Sequence, residues 1–194
     1  MIGLFKKKQE VPILPIDKSL AREGFTSTIR IFSNAQIELE SDFIYLYVVE
    51  YEMDKPLACL STTYFAQSGN QTKNVPQGFS MFLTEQSLGS AYDSFLRSSV
   101  SQLFRKGNGR VAQPNGENDY KGTYYGRDFG YDAEAMSAVI VLLLEEVFYL
   151  RPEDVCLKIQ LLSFEGITSG QESTATFDAG GNRITSSGFQ QDLF

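Results

Sequence analysis

The sequence predicts an α+β fold: an antiparallel sheet of about five strands packed by two helices, with an extended N-terminal arm and a C-terminal hairpin and tail. Three observations predict it. Short runs of alternating or two-sided apolar residues recur between residues 25 and 66, separated by the brief connections that antiparallel neighbours allow. Two later segments repeat apolar residues at i, i+3, i+4 and i+7, the stripe of a helix that buries one side. With 194 residues, 42% of them hydrophobic and 21% charged, the chain is long enough for one core without a disulfide or metal staple.

The arm is residues 1–24. Val11-Pro12-Ile13-Leu14-Pro15-Ile16 alternates proline with large aliphatics. Proline fixes φ and biases its predecessor toward extended backbone, so Ile13, Leu14 and Ile16 form an extended apolar strip that needs a surface. The core is residues 25–166. Phe25 to Phe32, rich in Thr and Ile, reads as a strand. Ala35, Ile37 and Leu39 alternate with Gln36, Glu38 and Glu40, which reads as a second strand with one wet face, turned at Ser33-Asn34. Phe43 to Val49 is apolar on both faces and reads as a central strand. After a turn at Asp54-Lys55-Pro56, Leu57 to Ala66 is another. Gln67 to Gly78 reads as a polar loop.

The first helix is expected from a cap at Thr84 or Ser87. Its stripe is Leu88, Ala91, Tyr92, Phe95, Leu96, Val100, Leu103 and Phe104, with Arg97, Arg105 and Lys106 at the end that favours cations. Gly107-Asn108-Gly109 reads as its stop, and residues 107–131 as a long loop rich in Gly, Asn and Tyr. Asp132 caps the second helix, Ala133 to Leu150, whose longest apolar run is Ala138 to Leu144, too short to span a bilayer. Arg151-Pro152 ends it, and Val155, Leu157, Ile159 and Leu161 alternate as a strand. Residues 167–194 turn to Ser, Thr and Gly. There Thr174 to Asp178 and Arg183 to Ser186 close a hairpin around Ala179-Gly180-Gly181-Asn182, which needs a sheet or partner beside it.

Composition narrows function. The chain has no histidine, the commonest general base and metal ligand. Glu145 and Glu146 are adjacent on a helix and do not share a side, while Glu50 and Glu52 share one strand face. Arg127-Asp128-Phe129-Gly130 repeats three letters of the kinase magnesium motif, but the phosphate loop and the His-containing catalytic loop are missing. Cys59 and Cys156 sit in separate apolar runs without metal-ligand spacing. No enzyme, cofactor or metal is therefore expected. Net charge is −7 and the pI about 4.7, which disfavours nucleic acid as a partner, although a local basic patch is compatible with it. Met1-Ile-Gly-Leu-Phe-Lys-Lys-Lys carries its charge after its apolar residues, the reverse of a secretory signal. A cytoplasmic protein is expected, or a virion protein assembled in a bacterial cytoplasm.

Two segments look suited to gripping other macromolecules. Tyr120, Tyr124, Tyr125 and Phe129 interleave with Arg127 and glycines, the residue mix of adaptable binding loops and interface hot spots. The last five residues, Gln190-Gln191-Asp192-Leu193-Phe194, resemble the short peptide with which bacterial replication proteins dock on the sliding clamp. That resemblance implies Gln190 in one subsite, Asp192 at the Ser/Asp position, and Leu193 and Phe194 in the apolar pocket. The expected function is a non-enzymatic structural subunit of an oligomeric assembly, such as a phage particle, tail or secretion apparatus. It would contact other protein subunits, as a homo-oligomer or in a mixed assembly, through its arm, loops and tail. The alternative is a replication-associated adaptor or regulator that binds a clamp.

Overall fold

The computed structural model describes residues 18–38, 43–50, 55–66, 74–111, 120–162 and 172–187. It is α+β: one antiparallel sheet of eight strands, with helices on one face only among the described residues. In chain order the elements are α1 (Lys18–Glu38), β1 (Phe43–Glu50), β2 (Lys55–Ala66), β3 (Asn74–Thr84), α2 (Glu85–Leu88), α3 (Tyr92–Arg97), β4 (Arg105–Val111), β5 (Tyr120–Gly130), α4 (Ala133–Leu143), β6 (Val155–Leu162), β7 (Glu172–Phe177) and β8 (Arg183–Ser187). Across the sheet the order is β4-β5-β3-β2-β1-β6-β7-β8.

The expected strands at 25–32 and 35–40 are corrected by α1, which also begins inside the segment assigned to the arm. Ala21, Phe25, Ile29 and Phe32 recur at helical spacing and are all fully buried, whereas Arg22, Glu23, Ser27, Arg30 and Asn34 face water. Two hydroxyls inside α1 are satisfied by back-bonding. Thr28 Oγ1 donates to the Gly24 carbonyl at 3.1 Å and Ser33 Oγ to the Ile29 carbonyl at 2.8 Å, one turn earlier. Burying one apolar stripe overrides intrinsic propensity here.

β1, β2 and β6 form where expected, and β1 lies between the other two in the middle of the sheet. Three strands were hidden. β3 contains Pro76 and Gly78, which read as loop residues, but its register with β2 shifts between Thr63 and Tyr64, the kind of bulge that tolerates proline. β4 and β5 occupy most of the expected 107–131 loop; the residues between them, 112–119, lie outside the described set. The C-terminal hairpin forms as β7–β8, and β6 is the strand beside it.

The helix expected from 84 to 104 is broken instead. Thr84 and Ser87 cap α2 reciprocally at 3.0 and 2.9 Å, and Gly89 ends it with φ 53°. Ser98 is extended after α3, so the chain restarts as a 3-10 turn over Ser99–Leu103. Leu88, Phe95, Val100 and Phe104 still reach the core, but the breaks swing Leu96 and Leu103 into solvent. Arg105 and Lys106 stand on a strand rather than on a helix end.

α4 starts where expected: Asp132 accepts from the Ala135 amide at 2.9 Å. The helix widens into a π turn at Leu144–Phe148 and ends at Tyr149 in the left-handed region, φ 56°. It carries the chain from β5 under β3, β2 and β1 to β6. Four strand spacings are about 19 Å, and residues 133–148 span roughly 24 Å, which suits that crossing. α1 lies beside α4, with Thr26 and Ser137 hydroxyls 2.7 Å apart in the interior. Cys59 and Cys156 form no disulfide and stand on strands that flank β1 from opposite sides. No described helix is long and apolar enough to cross a membrane.

Gly24 is where α1 meets the β7–β8 turn. A Cβ there would lie 2.1 Å from the Ala179 carbonyl oxygen and 2.6 Å from the Gly180 carbonyl carbon, both backbone atoms that yield little. Gly24→Ala is expected to lower the urea midpoint, costing about 1–3 kcal/mol with an unchanged denaturant slope. Tyr149→Gly is expected to raise the midpoint, adding about 1 kcal/mol of unfolding free energy, because it removes left-handed strain at an exposed helix end.

Candidate interaction surface

The sheet register divides side chains between two faces. Toward the helices point Leu46 and Val48 of β1, Ala58 and Leu60 of β2, Met81 and Leu83 of β3, Leu157 and Ile159 of β6, and Ala175 and Phe177 of β7, all buried. Their alternates form the other face: Tyr45 and Tyr47, Cys59 and Ser61, Ser80 and Phe82, Tyr124 and Asp128, Lys158 and Gln160, Thr174 and Thr176. An antiparallel sheet commonly leaves one face to water. Here that face carries aromatic rings, and part of it is closed to water, with Ser80, Val49 and Cys156 buried. Tyr45 and Tyr47 have ring centroids 6.2 Å apart, and Phe82 meets Tyr124 edge-on at 5.8 Å. Phe82 is 38% exposed, a large ring half in solvent.

The residues expected in an adaptable loop belong to β5, a strand paired on both sides. Tyr125 and Phe129 turn inward; Tyr125 packs edge-on against Phe95 at 5.0 Å. Arg127 stacks its guanidinium 5.0 Å above the Phe129 ring. Tyr124 and the half-buried Tyr120 belong to the outer face by register. The ring of Tyr124 lies across the neighbouring strand, where a Cβ on Gly107 would sit 2.4 Å from it. Glycine at 107 is what allows that approach. Phe82, Tyr124, Gly107 and Gly126, with Arg105, Lys106 and Asp128, line a shallow hollow of about 170 Å³. Ile13, Leu14, Ile16, Gln190, Asp192, Leu193 and Phe194 lie outside the described residues.

The carboxylates are used in the architecture. Glu146 accepts from the Ser99 amide and hydroxyl at 2.8 Å each, which ties the π turn to the 3-10 turn. Glu134 pairs with Arg30 across α1 and α4 at 3.1 Å. Asp128 accepts from the Ser80 hydroxyl. Glu50 ends β1, and Glu52 is outside the described residues. A hollow of about 720 Å³ is an open groove lined by Arg22, Glu23, Thr26, Arg30, Glu134, Val141 and Glu145 on α1 and α4. Among the described residues no three His, Cys, Asp or Glu side chains gather as a metal site.

Where titration is shifted, it moves away from neutral pH. Burial pushes the Cys59 thiol up, although the residue as a whole is only half-buried. Burial and the hydrogen bond with Tyr125 push Tyr92 up to about 12, and burial raises Tyr131. The Arg151 guanidinium beside Asp154 holds that carboxyl below its usual range. A general acid or base works best with a pKa moved toward the operating pH; these shifts run the other way.

No family model, no curated protein and no solved structure matches this chain.

Sequence reasoning missed Tyr45, Tyr47, Phe82, Lys106 and Arg110 as surface-forming residues. The signal for the first two was present: tyrosines two apart in a strand share a face, in a run that otherwise reads as two-sided core. The division within β5 predicts unequal consequences. Tyr125→Ala should cost about 3–5 kcal/mol of unfolding free energy. Tyr124→Ala should cost no more than about 1–2 kcal/mol. Urea midpoints of the two variants test this.

Proposed function

We propose that this chain is a subunit of a protein assembly, made to contact neighbouring copies or other subunits rather than to catalyse a reaction. One observation carries the proposal. The described helices cover a single face of an eight-stranded sheet, and the opposite face carries Tyr45, Tyr47, Phe82 and Tyr124 among short polar side chains. Tyrosine and phenylalanine on a broad surface give large contact area at low side-chain entropy cost, the composition that interface cores favour. The engagement of Glu134, Glu146 and Asp128 in structural contacts supports the same reading, as does the direction of the titration shifts. A phage particle, tail or secretion apparatus is the setting proposed, with self-association as the first contact.

Light scattering across a concentration series tests the proposal. A defined multimer is expected, and Tyr47→Glu should shift it toward monomer while the folded spectrum is retained. A strict monomer at high concentration would contradict self-association.

The sequence Gln190-Gln191-Asp192-Leu193-Phe194 favours a second reading, attachment to a bacterial sliding clamp. Removing residues 190–194 should then abolish binding to purified clamp. Equal binding by the full and shortened chains, or none by either, rejects that reading.

A further inference from the structure

β4 is an edge strand. Its described neighbour is β5 on one side, and among the described residues nothing pairs with its other side. An edge of this kind presents a row of main-chain N–H and C=O groups to any chain that can lie beside it. Its side chains sort by face. Lys106, Asn108 and Arg110 stand on the helix side, opposite Tyr125, Thr123 and Lys121 of β5. Arg105, Gly107, Gly109 and Val111 stand on the uncovered side. Arg105, Lys106, Arg110 and Lys121 are exposed, and none of them pairs with a carboxylate among the described residues. In β4 and β5 there are five cations, these four and Arg127, against one carboxylate, Asp128, in a chain of net charge −7. Glu117 and Asp119 fall in the connection 112–119, outside the described residues.

We propose that the free edge of β4 receives an extended acidic segment of another protein as a ninth strand, one that alternates carboxylates with large apolar side chains. This deepens the assembly reading, and rests on it, by giving one contact a partner chemistry. Residues directly opposite each other across an antiparallel pair share a face, with Cβ atoms roughly 5 Å apart. Carboxylates on the helix side of the incoming strand therefore meet Lys106 and Arg110, with Lys121 one strand farther in, opposite Arg110. On the uncovered side the incoming strand faces Gly107 and Gly109, which offer no side chain of their own. Large apolar groups there reach the Tyr124 ring that already lies over Gly107.

The same geometry disfavours the other occupants. Two β4 edges paired antiparallel would set Lys106 and Arg110 of one copy against Arg110 and Lys106 of the other. The opposite sheet edge, β8, is Arg183-Ile184-Thr185-Ser186-Ser187 and carries no carboxylate. Single-stranded nucleic acid is gripped best where cations and stacking rings share one surface. Here Phe82 and Tyr124 share a face by register with Arg105, and Lys106 reaches the same hollow, but Arg110 and Lys121 stand on the opposite face.

The test uses the full chain and a fluorescent seven-residue peptide, capped at both ends, alternating glutamate with tyrosine and valine. Anisotropy should show saturable binding. Lys106→Glu combined with Arg110→Glu should weaken it by at least about tenfold, as reversal of close interfacial charges does, while Arg183→Glu on β8 should leave it within about twofold. N-methylation of one alternate set of peptide residues should abolish binding, and of the other set should leave it, because one set turns its N–H groups toward β4. That readout uses the unaltered protein, so it stands even where the double variant fails to fold. The inference is overturned if both methylated peptides bind as the parent does, if a peptide of the same composition with its glutamates in one block binds equally, or if oligothymidylate binds and the peptide does not. Light scattering on the same samples separates the two claims: a multimer that ignores the peptide sinks the ninth strand alone, and a monomer that binds it sinks self-association alone.

Discussion

The packing of α1 and α4 side by side on one face of the sheet is the constraint from which the rest of the structure follows. α1 brings Ala21, Phe25, Ile29 and Phe32 to that face, and α4 brings Met136, Val139, Ile140 and Leu143, all but fully buried. Phe32 stacks on Phe79 at 4.2 Å, which links α1 to β3 directly. Two polar facts hold the helix pair in register. The Thr26 and Ser137 hydroxyls satisfy each other inside, and Arg30 reaches Glu134 at the rim. The exposed ion pair adds little, since surface pairs contribute about 0–1 kcal/mol. The buried hydroxyl pair matters more as a restriction: Ser137 donates to the Glu134 carbonyl at 3.0 Å, so the Thr26 hydroxyl is the one that loses its partner if Ser137 is removed. With every long described helix committed to one face, the other face carries no described helix, and Ser80, Val49 and Cys156 on it are nonetheless buried.

How far this was legible in the sequence depends on how local the deciding signal is. β1, β2, β6 and the 133–148 helix were legible because periodicity and caps agree: Asp132 caps, Arg151-Pro152 stops, and the strands alternate. The β7–β8 hairpin was legible from its glycine turn. α1 was not, because Thr26, Thr28, Ile29 and Ile31 vote for a strand, and the stripe from Ala21 to Phe32 decides only once a sheet exists to cover it. β3 and β4 were hidden by Pro76, Gly78, Gly107 and Gly109, loop residues by local rule. A bulge admits the first, and a neighbouring ring occupies the space left by Gly107. The continuous helix expected over 84–104 broke first at Gly89 and again at Ser98, where a carboxylate 47 residues from Ser99, that of Glu146, accepts from the Ser99 amide. No window of sequence contains that pairing.

The surface was legible in kind but not in place. Tyrosine, glycine and arginine between 120 and 130 pointed to contact, and part of that set does reach the outside. The sheet then sorts the set: Tyr125 and Phe129 serve the core, Tyr124 serves the outer face, and Arg127 lies over Phe129. Charge behaves similarly. A net of −7 argues against polyanion partners when averaged over the chain, yet β4 and β5 concentrate cations at one sheet edge. Averaged electrostatics speak to solubility and encounter, while recognition depends on which charges share a strand face.

The sheet face that the described helices leave is proposed as a surface that neighbours occupy. Hydroxyl-radical footprinting tests it most directly, with the protein compared between high dilution and high concentration. Tyr45, Tyr47, Phe82 and Tyr124 should lose reactivity as concentration rises, while Tyr149, exposed at the end of α4, should keep its own. Equal reactivity of all five side chains across the whole range would contradict it.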